Sequence, residues 1–97
     1  MIISKPCVTM KGIVIGAYSW EKPVKLDLRK TAECLEERGY TVKKLIPGMM
    51  LIVDMEGYEV SVYPSGKIII KLLTDAKRGE EMARVVYDCA GVLEVVS

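Results

Sequence analysis

The sequence predicts an α+β domain, a curved antiparallel sheet of about five strands with two helices on one face. Three observations carry that expectation. Two stretches repeat their apolar residues at helical spacing, one early in the chain and one at its end. Between them lie four short runs rich in Val, Ile, Met and Tyr, separated by Pro-Gly, Glu-Gly and Pro-Ser-Gly breaks. One further run precedes the first helical stretch, so the order is strand, helix, four strands, helix.

Taken in order, Lys11 to Tyr18 reads as the first strand, with Ile13, Val14 and Ile15 as its apolar centre. Ser19 to Pro23 is a loop. From Leu26 the period changes, and Leu28, Ala32 and Leu35 recur at helical spacing with Arg29, Lys30, Glu33, Glu36 and Glu37 around the other side. Asp27 is the expected N-cap and Gly39 the stop. Tyr40 to Ile46 and Met49 to Met55 read as strands parted by Pro47-Gly48. Glu56-Gly57 turns the chain into Tyr58 to Tyr63, and Pro64-Ser65-Gly66 turns it again into Lys67 to Leu73. Met82, Val85, Val86, Cys89, Ala90 and Leu93 share one stripe of a second helix that Gly91 ends. The tail from Val92 to Val96 is either a short extra strand or a segment packed on the sheet.

Composition narrows the function classes. Ninety-seven residues make one domain, 1–97, because two cores would leave each half too small. Apolar residues at 51% and charged residues at 28% are globular values. Basic and acidic residues nearly balance, with a net charge of +1, so no general affinity for nucleic acid follows from charge alone. His, Asn, Gln and Phe are absent, which removes His-based triads, His metal ligands and the bidentate adenine readers. The missing amides fit a thermophilic source. Cys7, Cys34 and Cys89 have no CxxC spacing, so they read as free thiols of a reducing cytoplasm, with neither zinc nor disulfide indicated. The start lacks an apolar signal core and no run reaches membrane-span length, so a cytoplasmic protein is expected.

Alternation in the last two strands sorts the sheet faces. Val60, Val62, Ile68, Ile70 and Leu72 form an apolar set for the helices. Ser61, Tyr63, Ser65, Lys67, Ile69 and Lys71, with Leu73 at the end, form the opposite set. Met50 and Ile52 join that open face if Asp54 points outward. Adjacent apolar groups on such a face usually meet a partner.

Three stretches resemble a repeat of the TATA-box-binding protein family. Lys25-Leu26-Asp27-Leu28-Arg29-Lys30-Thr31-Ala32 is similar to the Lys-Leu-Asp-Leu-Lys-Thr opening of that repeat's first helix. Val62-Tyr63-Pro64-Ser65-Gly66-Lys67-Ile68-Ile69-Ile70 resembles its Ile-Phe-Ser-Ser-Gly-Lys-Met-Val strand pair. Ala83-Arg84-Val85-Val86 matches the Ala-Arg-Val-Val of its closing helix. The resemblance implies one half of a saddle whose sheet lies in a DNA minor groove, with Tyr63 at a wedge-aromatic position. It sets Ser65 and Lys67 at phosphate-side positions, Ile69 at an apolar groove contact and Lys71 near a threonine contact. The chain departs from the family at Gly48, where the second wedge falls, at Pro64, in the longer loop Ser19 to Pro23, and in having no Asn. It also holds only one repeat, so a homodimer joined through its first strands is the way to rebuild a saddle. The same fold resembles substrate-binding domains of some ribonucleases H and DNA glycosylases. A ferredoxin-like variant is the alternative arrangement of these elements.

The functional expectation is a small non-catalytic module that binds DNA or RNA through the open face of a dimer. Ser61, Tyr63, Ser65, Lys67, Ile69 and Lys71 form the site, with no catalytic residue, metal or cofactor. The alternative is a protein-interaction module docking through Met50, Ile52, Tyr63 and Ile69. Enzyme chemistry has thin support. Asp54, Glu56 and Glu59 are near in sequence and could hold Mg²⁺, but alternation and a turn divide them. Lys77-Arg78 could meet a phosphate before the second helix. Trp20 reads as a lid over the core edge.

Overall fold

The computed structural model describes residues 2–6, 12–17 and 25–96. Trp20, Cys7, the loop Ser19 to Pro23 and the expected strand ends at Lys11 and Tyr18 lie outside the described residues. Six strands form one antiparallel sheet among the described residues: β1 (Ile2–Pro6), β2 (Gly12–Ala17), β3 (Thr41–Ile46), β4 (Met50–Met55), β5 (Tyr58–Val62) and β6 (Ile68–Lys71). The helices are α1 (Leu28–Glu37), α2 (Ala76–Ala90) and the single turn α3 (Leu93–Val96). The expected strands and helices are present in the expected order, with β1 added ahead of them. The tail forms α3 and not the short extra strand that was one of its two expected forms, and Val92 and Leu93 pack against the core.

Across the sheet the strands run β1-β2-β6-β5-β4-β3. The sheet is open, with β1 and β3 at its edges. The outer side of β2 is therefore already paired, Ile2 to Pro6 lying opposite Ala17 to Ile13. Two copies joined at this end of the sheet would meet through β1, and not through β2, the first strand expected from sequence.

Local chemistry explains the element ends. The Asp27 carboxylate accepts from the Arg29 and Lys30 amides and caps α1, and Asp75 does the same for α2 through Lys77 and Arg78. Glu56 and Gly57 both adopt positive φ, the geometry of a two-residue hairpin turn that matches strand twist. Gly12 opens β2 at φ 150°, where a Cβ would lie 2.5 Å from the Ile70 carbonyl oxygen. No larger residue allows β2 and β6 to approach this closely.

One core fills the space between the sheet and the helices. Ile13, Ile15, Leu51, Val53, Met55, Val60, Val62, Ile68 and Ile70 supply the sheet side. Leu28, Ala32 and Leu35 of α1 and Met82, Ala83, Val86, Tyr87, Cys89 and Ala90 of α2 cover them. Val85 and Leu93, placed on the α2 stripe from sequence, pack at its margin, while Ala83 and Tyr87 take the interior.

Two expectations are corrected. Leu72 is 71% exposed and Leu73 only 4%, the reverse of the alternation. Leu72 adopts φ 66°, which ends the pleat and rotates Leu73 onto the core. The second correction concerns the cysteines. Cys34 and Cys89 are not free thiols but are joined as a disulfide between α1 and α2, with Cα atoms 5.4 Å apart. Spacing along the chain could not show this, because 55 residues separate the two.

Candidate functional site

The open face is built as three rows of side chains crossing the strands. The central row runs Lys44, Ile52, Ser61, Ile69, Val14, each residue directly opposite the next on the neighbouring strand. Ile52, Ile69 and Val14 are partly exposed, and Ser61 between them is only 6% exposed because its neighbours close over it. A short apolar strip thus crosses the middle of the face. Met50, Ile52 and Asp54 alternate with the buried Leu51, Val53 and Met55, so all three point outward as the condition on Asp54 required.

The second row runs Thr41, Asp54, Glu59, Lys71. Asp54 is occupied with the adjacent turn, and Glu59 and Lys71 with each other. The Asp54 carboxylate accepts from the Gly57 amide at 3.0 Å. Lys71 and Glu59 form an ion pair at 2.8 Å. The hydrogen bond from Lys71, and then its charge, hold the Glu59 carboxyl below the usual carboxylate range. The same contact raises Lys71. Lys71, nominated as a cation for a partner, is thus matched by a carboxylate on its own face.

The third row holds Ile46 and Met50 and continues into the β5–β6 turn at Tyr63 and Lys67. Tyr63 is partly exposed, and the Lys67 ammonium stands 5.7 Å from its ring centroid. The turn beneath them is held from several directions. The Tyr63 amide donates to the Lys67 carbonyl at 2.9 Å and the Gly66 amide to the Tyr63 carbonyl at 3.0 Å. The Leu26 amide, at the entry to α1, donates to the Pro64 carbonyl at 2.8 Å. From α2, the buried Tyr87 hydroxyl donates to the Gly66 carbonyl at 2.6 Å. Burial pushes the Tyr87 phenol up, so it remains a donor. Ser65 is exposed on this turn and belongs to no strand, which removes it from the alternating set.

Of the six residues chosen from sequence, Ser61, Tyr63, Lys67, Ile69 and Lys71 therefore share the open face, with Ser65 at its rim. Val14, Glu59, Lys43 and Lys44 were not chosen. Lys43 and Lys44 are both exposed because the register shifts between Val42 and Lys44, a bulge that breaks alternation on β3. Two consecutive lysines in an otherwise apolar strand were the available signal. Neither lysine has an ion-pair partner among the described residues.

The other candidates are dispersed. Glu56 pairs with Arg78, Glu59 with Lys71, and Asp54 caps a turn, so the three acids do not converge. No cluster of potential metal ligands occurs among the described residues. Lys77 and Arg78 lie inside the first turn of α2, and Arg78 is taken by Glu56 and Glu81. No helix among the described residues is long and apolar enough to cross a membrane. A groove of about 500 Å³ beside the start of α1 is lined by Lys25, Leu26, Asp27, Leu28, Arg29, Pro47 and Gly48.

Comparison with protein-family models, curated proteins and solved structures gives no match.

Proposed function

We propose that this chain is a small non-catalytic binding module whose open sheet face takes nucleic acid, with two copies presenting a joint surface. The observation that carries the reading is the pairing of Tyr63 with Lys67 on a turn tied to both helices. An aromatic face next to an ammonium group suits a base and its phosphate, and a preset turn avoids the cost of ordering them on binding. The apolar strip of Ile52, Ile69 and Val14 gives bases or sugars a surface to lie on. Lys43 and Lys44 add cations at the β3 edge. The resemblance to a TATA-box-binding repeat supports the same use.

Titrating short duplex and single-stranded DNA and RNA at low salt tests the reading. Binding should weaken with salt, and Tyr63→Ala should lower affinity by roughly 10- to 100-fold, as expected for loss of one stacked base. Lys67→Ala should reduce the duplex salt slope by about 0.9. Salt-insensitive binding, or variants that bind like the parent, would remove the nucleic acid from the proposal.

A second reading has its own observation. The Lys71–Glu59 pair and Asp54 place both signs of charge around the apolar strip, an arrangement shared with protein interfaces that have an apolar centre and polar rim. A stoichiometric protein partner that survives nuclease treatment and is lost in Ile69→Asp would favour it.

A further inference from the structure

Cys34 and Cys89 form the reactive group that the open face leaves unused. They lie behind the sheet, in the last turns of α1 and α2. Their Cα separation of 5.4 Å is within the range a disulfide needs without moving either backbone. The Arg38–Asp88 ion pair joins the same two helix ends, so the staple sits where the helices are already held together. The two sulfur-bearing residues differ in access. Cys89 is 4% exposed and packs in the core, whereas Cys34 is partly exposed at the margin of that core.

That asymmetry has a chemical consequence, because an incoming thiolate opens a disulfide by reaching one of its sulfurs, and access decides which. We propose that Cys34 is the thiol–disulfide exchange site of this chain, and that a small thiol of the glutathione class is its reagent. The incoming thiolate bonds to the Cys34 sulfur as the Cys34–Cys89 bond breaks. The Cys89 sulfur leaves with the electron pair and takes a proton from solvent. A second thiol attacks the adduct, releasing the small-molecule disulfide and leaving Cys34 reduced. Two small thiols are oxidised as one protein disulfide is reduced. In reverse, an oxidised small disulfide caps Cys34, and Cys89 closes the staple from beneath it.

The staple lies on the helical side of the sheet, opposite the apolar strip, and opening it frees α1 from α2 covalently.

Peptide mapping tests the assignment. Protein purified with its free thiols blocked and cut by trypsin after Lys30, Arg38 and Arg84 should yield Thr31–Arg38 linked to Val85–Ser97. Cys7 falls in a different peptide. Brief exposure to reduced glutathione should place the adduct on the Cys34 peptide severalfold over the Cys89 peptide. With oxidised glutathione, folded Cys89→Ser should be modified at Cys34, and folded Cys34→Ser should remain unmodified at Cys89. Even labelling, a preference for Cys89 or no adduct at all overturns the exchange site. Absence of the linked peptide even after oxidised glutathione overturns the disulfide itself.

Discussion

On β6, Ile68 and Ile70 are fully enclosed beneath the helices, while Ile69 between them is partly open to solvent, although all three are isoleucine. The same contrast repeats on β4, where Leu51 and Val53 are buried and Ile52 is not. One face of the sheet is uniformly aliphatic and sealed. The other mixes aliphatic, aromatic, hydroxyl and charged groups that satisfy one another across strands. The sealed face is governed by packing, where each methyl group has contacts to lose. The open face is governed by what approaches it, so its residues can change with little effect on folding.

The most direct way to break that comparison is to truncate neighbours on the same strand. Ile70→Ala should cost about 2–5 kcal/mol in denaturant unfolding, as a cavity opens in a close-packed core. Ile69→Ala should cost well under half as much while weakening binding to the open face. Equal losses would show that a partner or a second copy already covers that face.

Tyr87→Phe tests the side-chain hydrogen bond that runs from α2 on the sealed side to the turn of the site. It should cost about 1–3 kcal/mol, because the Gly66 carbonyl loses its buried donor. It should also lower affinity by loosening the turn that presents Tyr63 and Lys67. Its pH dependence is specific. The folded phenol titrates above its ordinary value of about 10, so the unfolded chain loses that proton first, and stability falls as pH rises past about 10. The phenylalanine variant should lack that part of the alkaline decline.

Leu72→Gly sharpens the comparison at the point where alternation ends. Leu72 is exposed at positive φ, so glycine relieves strain without removing packing, and stability should rise by about 1 kcal/mol or less. A loss would mean that Leu72 packs against something in solution.

The smallest expected effect on stability is at Glu59→Gln. The depressed Glu59 value means its contribution is present above its unfolded value and lost as pH falls through the folded one. The raised Lys71 value means the converse, a contribution present below its unfolded value and lost as pH rises through the folded one. The pair therefore persists across neutral pH, exposed and weakened by salt. Its removal should barely move unfolding but should free Lys71, strengthening nucleic-acid binding and steepening the duplex salt slope by about 0.9. No change in affinity would leave Lys71 outside the binding surface.

Several of these features are legible in the amino-acid sequence. Asp27 before an apolar helical stripe marks the start of α1, Gly91 marks the end of α2, and Glu56-Gly57 marks a tight hairpin, because each depends on backbone geometry within a few residues. The alternation of Val60, Ser61 and Val62 assigns the faces of β5 for the same reason. Other features depend on residues that meet only after folding. The bulge that exposes both Lys43 and Lys44 arises from register with β4, and the Lys71–Glu59 pair from register between β5 and β6. Tyr87 reads as an ordinary helix residue along the chain, yet in the fold its hydroxyl reaches the Gly66 carbonyl, 21 positions earlier.

By itself the sequence determined the α+β class, the order of most elements and five of the face residues, since short-range periodicity and turn chemistry encode them. Only the tertiary structure decided that β1 covers the edge of β2, that Cys34 meets Cys89, and that Lys71 turns its charge to Glu59. These are long-range pairings, set by the packing of helices on a twisted sheet, and no local spacing along the chain records which partners that packing brings together.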